Sequence, residues 1–400
     1  FSGRSGSFFL HSFLHKQSLE NILSIPPNYF MGIEHIISET DIKNFNLSDS
    51  RGAEAQRKLV NDLAFKLLEH VFTQREPNPL ILSQTRVLSS TWEELCFLFL
   101  LAYQFNHTAK LDYEVILKSI ICSFEITKQK SARYQKYSEF VYLWQAHVPL
   151  WDAETQWPEH TAYSPRKVWL HKRIHSLKTI TVVRFPEKAL DSHLIHHLYE
   201  APSPPMQTLL KRLMFDYGIA QGNDVGVSDG TNVDVAVRFE DLHNDAAFVL
   251  KQICDFVSIP FNPAMLESDL AVQSQGKVNK GTRKLGKQDF QCVLLDNVDR
   301  DLVRKVLALN YDLWGYRTVM EQLHPQGSIE LHPASVDDNV EFLIQDEITK
   351  DLSPDEREAH RLDLIDAYKM EARRRSKGVS LIPLLYEPPK IEIQNNNPTG

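Results

Sequence analysis

Two short runs rich in β-branched residues, at 179–183 and 233–237, constrain the fold of this chain more than any other feature. Each run is typical of a strand buried in a parallel sheet, and an arginine follows each of them, Arg184 or Arg238. Helical patterns come after both arginines. This alternation predicts an α/β fold of three layers, with a central parallel sheet between helices.

The turn after the first strand has the features of a ligand-binding edge. Pro186 is well placed in the first turn of a helix, and Glu187 suits the positive end of that helix. Arg184 then lies at the carboxyl end of the strand, and Ser192 lies about two turns into the helix. Open α/β sheets bind ligands at this edge, so Arg184 and Ser192 are candidate binding residues.

The second strand leads into a helix whose apolar residues recur at helical spacing: Val249, Leu250, Ile253, Phe256 and Val257. This spacing favours ordinary packing in the core. Pro260 and Pro263 end the helix.

A candidate anion-binding loop lies at the start of the sequence and consists of Gly3, Arg4, Ser5, Gly6, Ser7 and Phe8. Glycines let successive N–H groups point at one anion, and the apolar residues 8–14 predict a helix whose positive end favours that anion. Arg4 adds a cation with bidentate reach. The G-x-x-x-x-G-K-[ST] loop of nucleotide triphosphatases is absent, and an ordinary Gly/Ser turn before a helix is the alternative interpretation.

Taken in chain order, these three segments resemble motifs of the superfamily of sulfotransferases that use 3′-phosphoadenosine 5′-phosphosulfate (PAPS), in its bacterial and Golgi-type branch. Residues 3–7 resemble the 5′-phosphosulfate loop, R-S-G-[ST]-T. Residues 183–186 with Ser192 resemble the 3′-phosphate motif, R-x-P followed by a helical serine. Residues 237–242, which continue into 253–261, resemble the structural stretch R-[FY]-E-D-L … I-C-x-F.

Two later segments extend the resemblance to about residue 320. Residues 280–286 resemble the glycine-rich basic loop that closes over the cofactor, and residues 310–316 resemble the Gly-Tyr end of the domain. Residues 277–287 carry five cations and no acid. A solvated basic loop is the alternative for that segment taken alone.

The resemblance implies a P-loop-type α/β fold that transfers the sulfuryl group of PAPS and releases PAP, its desulfated product, without a metal. It implies that the loop at 3–8 contacts the 5′-phosphosulfate. For the 3′-phosphate it implies Arg184, Ser192, Lys280, Gly281, Thr282 and Arg283.

The catalytic base is less well marked than the cofactor site. An acceptor hydroxyl needs a general base, usually His or Glu, and Glu34 and His35 are the nearest candidates. Ordinary surface residues are the alternative for both. The sequence also departs from the family, with Phe8 in place of a second hydroxyl and Asn28 in place of an acid. The lysine-proline element of the family is replaced by residues 163–167.

Charge limits the partners. The net charge is −8, but residues 321–400 hold 16 of the 52 acidic and 9 of the 44 basic side chains, so the rest of the chain is nearly neutral. Nucleic acids and anionic membranes require a strongly basic face, so we expect neither as a partner. A neutral or weakly charged sugar, glycolipid or natural-product alcohol is the expected acceptor.

Cysteine usage and hydropathy bear on the compartment. Cys96, Cys122, Cys254 and Cys292 show neither a C-x-x-C pair nor zinc spacing, which suits a reducing, cytoplasmic location. The Golgi lumen stays open as an alternative if an anchor precedes the sequence. The longest fully apolar run, 95–103, is too short to span a bilayer.

The predicted organisation is a sulfotransferase-like α/β domain over residues 1–320, followed by an acidic helical extension and a disordered tail over 321–400. Residues 50–145 are predicted to form a helical insertion, either a cap over the acceptor site or structural padding. His193, His196 and His197 have a spacing that can hold a metal, but a plain helix face is the favoured interpretation. Three function classes follow: a PAPS sulfotransferase, a non-catalytic relative that binds PAP or a protein partner, and a phosphate-transferring enzyme, which the missing P-loop lysine disfavours.

Overall fold

The structure is a computed structural model that describes most of the predicted strands and helices. The described residues are 10, 13–14, 22–24, 37–46, 53–72, 90–108, 110–129, 141–143, 173–174, 177–197, 220–221, 233–266, 290, 292–295, 297–323, 353 and 380–389. They form a mixed helix and strand structure with small parallel sheets and mostly helical content. The finer P-loop-type arrangement stays a prediction.

The elements are named in chain order. The strands are β1 (Ile22–Ser24), β2 (Val141–Leu143), β3 (Lys178–Val183), β4 (Ala220–Gln221), β5 (Val233–Arg238) and β6 (Ser380–Leu381). The helices are α1 (Glu39–Asn46), α2 (Ala53–Phe72), α3 (Thr91–Asn106), α4 (Tyr113–Gln129), α5 (Pro186–His197), α6 (Phe239–Asn244), α7 (Ala246–Val257), α8 (Asn297–Val306), α9 (Ala308–Leu313) and α10 (Arg317–Leu323).

The two strands predicted from their β-branched residues are neighbours in one parallel sheet. Strand β3 pairs with β5 in a register that runs from Lys178 opposite Val233 to Val183 opposite Arg238. Both strands therefore end at the same edge, where α5 and α6 begin. The prediction that residues 179–183 and 233–237 form strands of a parallel sheet is confirmed, and the structure adds that the two strands are neighbours.

Strands β1 and β2 form a second parallel pair, which separates two apolar cores. Side chains alternate between the faces of a strand. Ile22, Val141 and Leu143 therefore pack toward the core that contains α7. Leu23 and Tyr142 pack toward the core built by α2, α3 and α4. Residues 141–143 fall inside the stretch predicted as a helical insertion, so the prediction is wrong for them.

Three long helices lie in the described part of that stretch, at 53–72, 91–106 and 113–129. Helices α2, α3 and α4 bury their facing sides against one another, with Val60 and Leu67 on α2, Phe97 and Leu101 on α3, and Ile116 and Ile120 on α4. An amphipathic helix gains most of its stability from this kind of packing. A cap over an acceptor site stays a prediction.

Helix α7 packs on the sheet as its spacing predicts. Asp245 caps its first turn by accepting a hydrogen bond from the backbone N–H of Phe248 at 3.0 Å. Val249, Leu250 and Ile253 are fully buried in the core that also contains Val182 and Val237 of the sheet. The helix ends at Val257, before the prolines.

Residues 382–386 lie along the free edge of β5. The backbone N–H of Ala236 donates to the carbonyl of Pro383 at 2.8 Å, and the N–H of Leu385 donates to the carbonyl of Ala236 at 2.9 Å. This parallel bridge leaves β5 between β3 and the C-terminal segment. A disordered tail was expected here from the prolines, and residues 380–389 differ from that expectation. Pro383 takes part as an acceptor, which needs no N–H.

Tyr386 anchors this segment. Its hydroxyl accepts a hydrogen bond from the backbone N–H of Arg238 at 3.1 Å and donates one to the Asp241 carboxylate at 2.9 Å. The indole N–H of Trp314 donates to the carbonyl of Ile382 at 2.9 Å. Buried polar groups are therefore matched across the junction.

Replacing Tyr386 with phenylalanine should lower the free energy of unfolding by about 1–3 kcal/mol, because the Arg238 amide and the Asp241 carboxylate stay buried and lose a partner. Urea unfolding measures the change. Glu387→Gln, at an exposed neighbour, is the control and should shift stability by no more than about 0.5 kcal/mol. Equal stability of the two variants would show that residues 380–389 do not dock on β5 in solution.

Candidate functional site

Arg184 and Ser192 meet at the carboxyl end of β3. Arg184 follows the last residue of β3, and Ser192 lies on α5, which begins two residues later. The guanidinium Nη1 of Arg184 donates a hydrogen bond to the Ser192 hydroxyl at 2.9 Å. Both side chains are half-buried. The structure thus brings together two residues that the sequence predicted at the same sheet edge. Their role in binding stays a prediction.

The ring of Phe239 forms one side of this site. The guanidinium carbon of Arg184 lies 4.8 Å from the centre of the Phe239 ring, a cation–π geometry. Phe239 is the first residue of α6, directly after β5. The two neighbouring strand ends therefore supply a cation and an aromatic face to one place.

A buried carboxylate fixes the turn that carries Arg184. Glu240 Oε1 accepts a hydrogen bond from the backbone N–H of Phe185 at 2.9 Å, and Glu240 Oε2 accepts one from the Tyr316 hydroxyl at 2.6 Å. Burial raises the pKa of Glu240, although these two donors and the charge of Arg184 act in the opposite direction. The turn after β3 is therefore tied to α6 and to the residue before α10.

Arg238, the second arginine at a strand end, has a structural role. It is buried, and its Nε and Nη2 donate to the two oxygens of Asp241, both at 2.7 Å. Its Nη2 also donates to the carbonyl of Pro389 at 2.8 Å. These contacts commit the guanidinium to the protein interior, whereas Arg184 is partly exposed.

Gly315 allows the chain to pass close to this arginine. Its φ is +67°, and a Cβ at that position would lie 2.9 Å from Cγ of Pro388 and 3.4 Å from Nη1 of Arg238. A left-handed residue in such a crowded place must be glycine. The Gly-Tyr pair of the sequence therefore has a geometric cause, because Tyr316 next to it reaches Glu240.

Asp191, the neighbour of Ser192, holds the segment after the basic loop. Its carboxylate accepts backbone hydrogen bonds from Leu294 at 2.8 Å, Val293 at 3.0 Å and Leu295 at 3.3 Å. Burial raises the pKa of Asp191, but these N–H donors and the charge of Lys188 outweigh it, so the pKa lies below its usual range. Residues 293–295, which follow the basic segment 277–287 in the sequence, are thus fixed beside Asp191.

Glu187 ties α5 to α8. It lies in the first turn of α5, as expected, but its carboxylate is fully buried. It accepts hydrogen bonds from Nε of Arg300 and Nε of Arg304, both at 2.6 Å, and from the Tyr311 hydroxyl at 3.3 Å. A buried carboxylate requires such partners, so this contact fixes the orientation of the helix that carries Ser192.

The remaining predicted site residues lie outside the described part of the chain. They are Gly3, Arg4, Ser5, Gly6, Ser7, Phe8, Glu34, His35, Lys280, Gly281, Thr282 and Arg283, and the side chains of His193, His196 and His197 also lie outside it. Leu10, Phe13 and Leu14 have helical backbone and are buried, at a spacing that fits the helix predicted after the loop. The described residues contain no group of three or more metal-binding side chains.

Sequence reasoning missed the supporting residues Phe239, Glu240, Tyr316 and Asp191. The first three lie in segments that had been interpreted as structural, at 237–242 and 310–316. Their signal was the repeated order of strand, arginine and aromatic residue at 184–185 and 238–239, which places two similar turns at one sheet edge. Asp191 gave no separate signal beside Ser192.

Comparison of the chain with protein-family models, with curated proteins and with solved structures finds no match. Within the described residues, none of the helices combines the length and the apolar character needed to cross a membrane.

Replacing Asp191 with asparagine should change how stability depends on pH. Because the folded pKa of Asp191 is lowered, its ionised form stabilises the fold above the unfolded pKa of about 3.9. This contribution is lost as the pH falls through the lower, folded pKa. The asparagine variant should therefore be less stable by about 1–3 kcal/mol at pH 7, and the gap should narrow toward pH 3.

Urea unfolding between pH 7 and pH 3 measures this gap. Asp62→Asn, at an exposed position on α2, is the matched control and should show neither the loss at pH 7 nor the narrowing. A gap for the Asp191 variant that stays constant at every pH would contradict the contact with residues 293–295.

Proposed function

We propose that this chain is a sulfotransferase that moves the sulfuryl group of PAPS to a hydroxyl of a carbohydrate, lipid or small-molecule acceptor. The observation that carries the proposal is the contact of Arg184 with Ser192 at the carboxyl end of β3, beside β5. The resemblance of the sequence assigns these two residues to the 3′-phosphate. Their geometry supports that assignment.

The chemistry of the pair suits a phosphate group. A guanidinium presents five donors in a planar fork, a geometry that matches phosphate oxygens, and in Arg184 the donor on Nη1 meets the Ser192 hydroxyl. A hydroxyl that accepts a hydrogen bond can still donate its own proton. Arg184 and Ser192 can therefore donate together to one dianionic group.

The surroundings keep this pair in position. Arg184 packs on Phe239, and its turn is held by Glu240. Ser192 lies on α5, which Glu187 ties to α8 and Asp191 ties to residues 293–295 through buried carboxylates. Preorganised donors bind an anion without the cost of ordering them first.

In the proposed reaction, the loop of residues 3–8 holds the 5′-phosphosulfate, and Arg4 stabilises the negative charge that develops on the bridging oxygen. Glu34 or His35 accepts the proton of the attacking hydroxyl. Sulfuryl transfer needs the attacking and leaving oxygens in line with the sulfur, as phosphoryl transfer does. The basic segment 277–287 closes over the 3′-phosphate, next to the anchor at 293–295.

A non-catalytic relative that binds PAP is the second candidate. Phe8 removes one hydroxyl from the first loop, and Asn28 cannot act as a base. Calorimetric titration with PAP, PAPS and ATP separates these two PAP-binding candidates from a phosphate-transferring enzyme, and an assay of sulfuryl transfer separates them from each other. Binding of PAP and PAPS but not ATP supports the proposal, and binding of ATP alone would contradict it.

Arg184→Ala should weaken PAP binding about 10- to 100-fold, because the loss of one charge-assisted hydrogen bond costs about 1.5–3 kcal/mol. Calorimetric titration measures the change. Arg57→Ala, which removes an exposed arginine on α2, is the control and should leave the affinity unchanged. If Arg184→Ala binds PAP as tightly as the original chain, the 3′-phosphate site lies elsewhere.

Arg4→Ala should abolish transfer of radiolabelled sulfate to acceptors. The reason is that its charge acts on the leaving phosphate. A panel of neutral sugars, glycolipids and natural-product alcohols, with protein tyrosine and polyanionic glycans as comparison acceptors, measures transfer. Transfer only to the comparison acceptors would refute the expected acceptor class, and tight PAP binding without any transfer would favour the non-catalytic candidate.

A further inference from the structure

Helix α3 has more apolar surface than its contacts within the described residues use. Its sequence, TWEELCFLFLLAYQFN, is apolar on nearly every side after the first turn. Ser90 caps it by accepting a hydrogen bond from the backbone N–H of Glu93 at 3.3 Å. A helix that is apolar all round is normally covered on all sides.

The described residues cover one of these sides. Phe97, Leu101 and Phe105, at four-residue spacing, are buried against α2 and α4. The opposite side exposes a second row, spaced three or four residues apart: Trp92 (70% exposed), Leu95 (54%), Phe99 (71%) and Tyr103 (53%). Residues at this spacing form one continuous stripe along a helix. We call these four residues the α3 stripe.

The area of the stripe fits a protein interface. Aromatic side chains carry about 150–250 Å² each, so three that are more than half exposed present roughly 300–500 Å², and Leu95 adds to this. A stable dimer buries about 800 Å² on each partner. The stripe therefore supplies about half of that share as a contiguous apolar centre, which is the part of an interface that contributes most affinity.

The order of residues in the stripe makes it complementary to itself. In an antiparallel crossing of two α3 helices, the large Trp92 of one copy lies against Tyr103 of the other, and Leu95 lies against Phe99. The middle of the crossing falls between Leu95 and Phe99, so the same contact between Trp92 and Tyr103 forms at both ends of the crossing. Closed two-fold contacts of this kind are the commonest way in which chains associate.

The helix dipoles favour the same orientation. Glu93, in the first turn of α3, is mostly buried and pairs with Lys128 of α4 at 2.7 Å, so it lies on the side of α3 that faces the core. An antiparallel crossing of two α3 helices opposes their dipoles, which is the favourable arrangement. The acidic first turn makes an anionic lipid surface a poor match for the same stripe.

We propose that this chain forms a homodimer in which the α3 stripe packs antiparallel against the α3 stripe of a second copy. The stripe lies on the helical part of the chain and does not involve Arg184 or Ser192. The dimer proposal is therefore independent of the proposed sulfotransferase activity, and either can be wrong without the other.

Sedimentation equilibrium of the full chain tests the dimer. The expected result is a monomer–dimer equilibrium whose dissociation constant rises at least about 30-fold in Phe99→Glu, the value expected for a central interface residue. Leu313→Glu is the matched control, because Leu313 is also an exposed apolar helical residue. Unchanged circular dichroism and thermal midpoint of both variants verify that they fold.

The native Cys96 supplies a second test that needs no folding-sensitive change. It is partly exposed and lies beside the stripe, near the middle of the proposed crossing. A short bis-maleimide should join two copies through Cys96 in the original chain, and Cys96→Ser should abolish this product.

Two results would overturn the proposal. One is a chain that stays monomeric at its highest soluble concentration. A monomer that sediments with phosphatidylcholine–phosphatidylserine vesicles, and loses this binding in Phe99→Glu, would show in addition that the α3 stripe binds lipid. The other is a dimer with unchanged affinity in Phe99→Glu.

Discussion

The buried carboxylate of Glu240 joins three parts of the chain that lie far apart in the sequence. It follows β5, accepts the backbone N–H of Phe185 after β3, and accepts the hydroxyl of Tyr316 before α10. A buried carboxylate is costly unless donors surround it, so each of these contacts is required by the others. The position of Arg184 depends on this arrangement, because its neighbour Phe185 is one of the donors.

Helix α5 receives its orientation from two further carboxylates. Glu187 and Asp191 lie four residues apart and therefore on one side of the helix. The first is held by Arg300 and Arg304 of α8, and the second holds the backbone of residues 293–295. Ser192 is thus attached to a helix that cannot rotate without breaking buried ionic contacts. The proposed anion site is therefore a rigid feature of the sheet edge.

The features with a local pattern could be predicted from the sequence. The runs 179–183 and 233–237 are rich in β-branched residues because they form strands of a sheet that packs against the core. Val249, Leu250 and Ile253 recur at helical spacing because one side of α7 meets the core. The meeting of Arg184 with Ser192 follows from the end of a strand, a proline and the first turns of a helix, with the two residues eight positions apart. Each of these rules acts over a few neighbouring positions.

Features that depend on distant partners could not be predicted. Strand β2 is three residues long, and its partner β1 lies more than a hundred residues earlier, so Val141–Leu143 carries no signal of its own. Asp191 reaches residues 102 to 104 positions away. Pro383 and its neighbours resemble a loose tail until the free edge of β5 is known. For the same reason Glu240 was assigned to the structural segment 237–242, with no role at the strand edge.

The most direct measurement of the central claim is a crystal structure of the chain with PAP bound. The account predicts that the 3′-phosphate oxygens lie within hydrogen-bond distance of the Arg184 guanidinium and the Ser192 hydroxyl, at the carboxyl end of β3, with Glu240 still bonded to Phe185 and Tyr316. A complex in which the 3′-phosphate binds away from both Arg184 and Ser192 would contradict it.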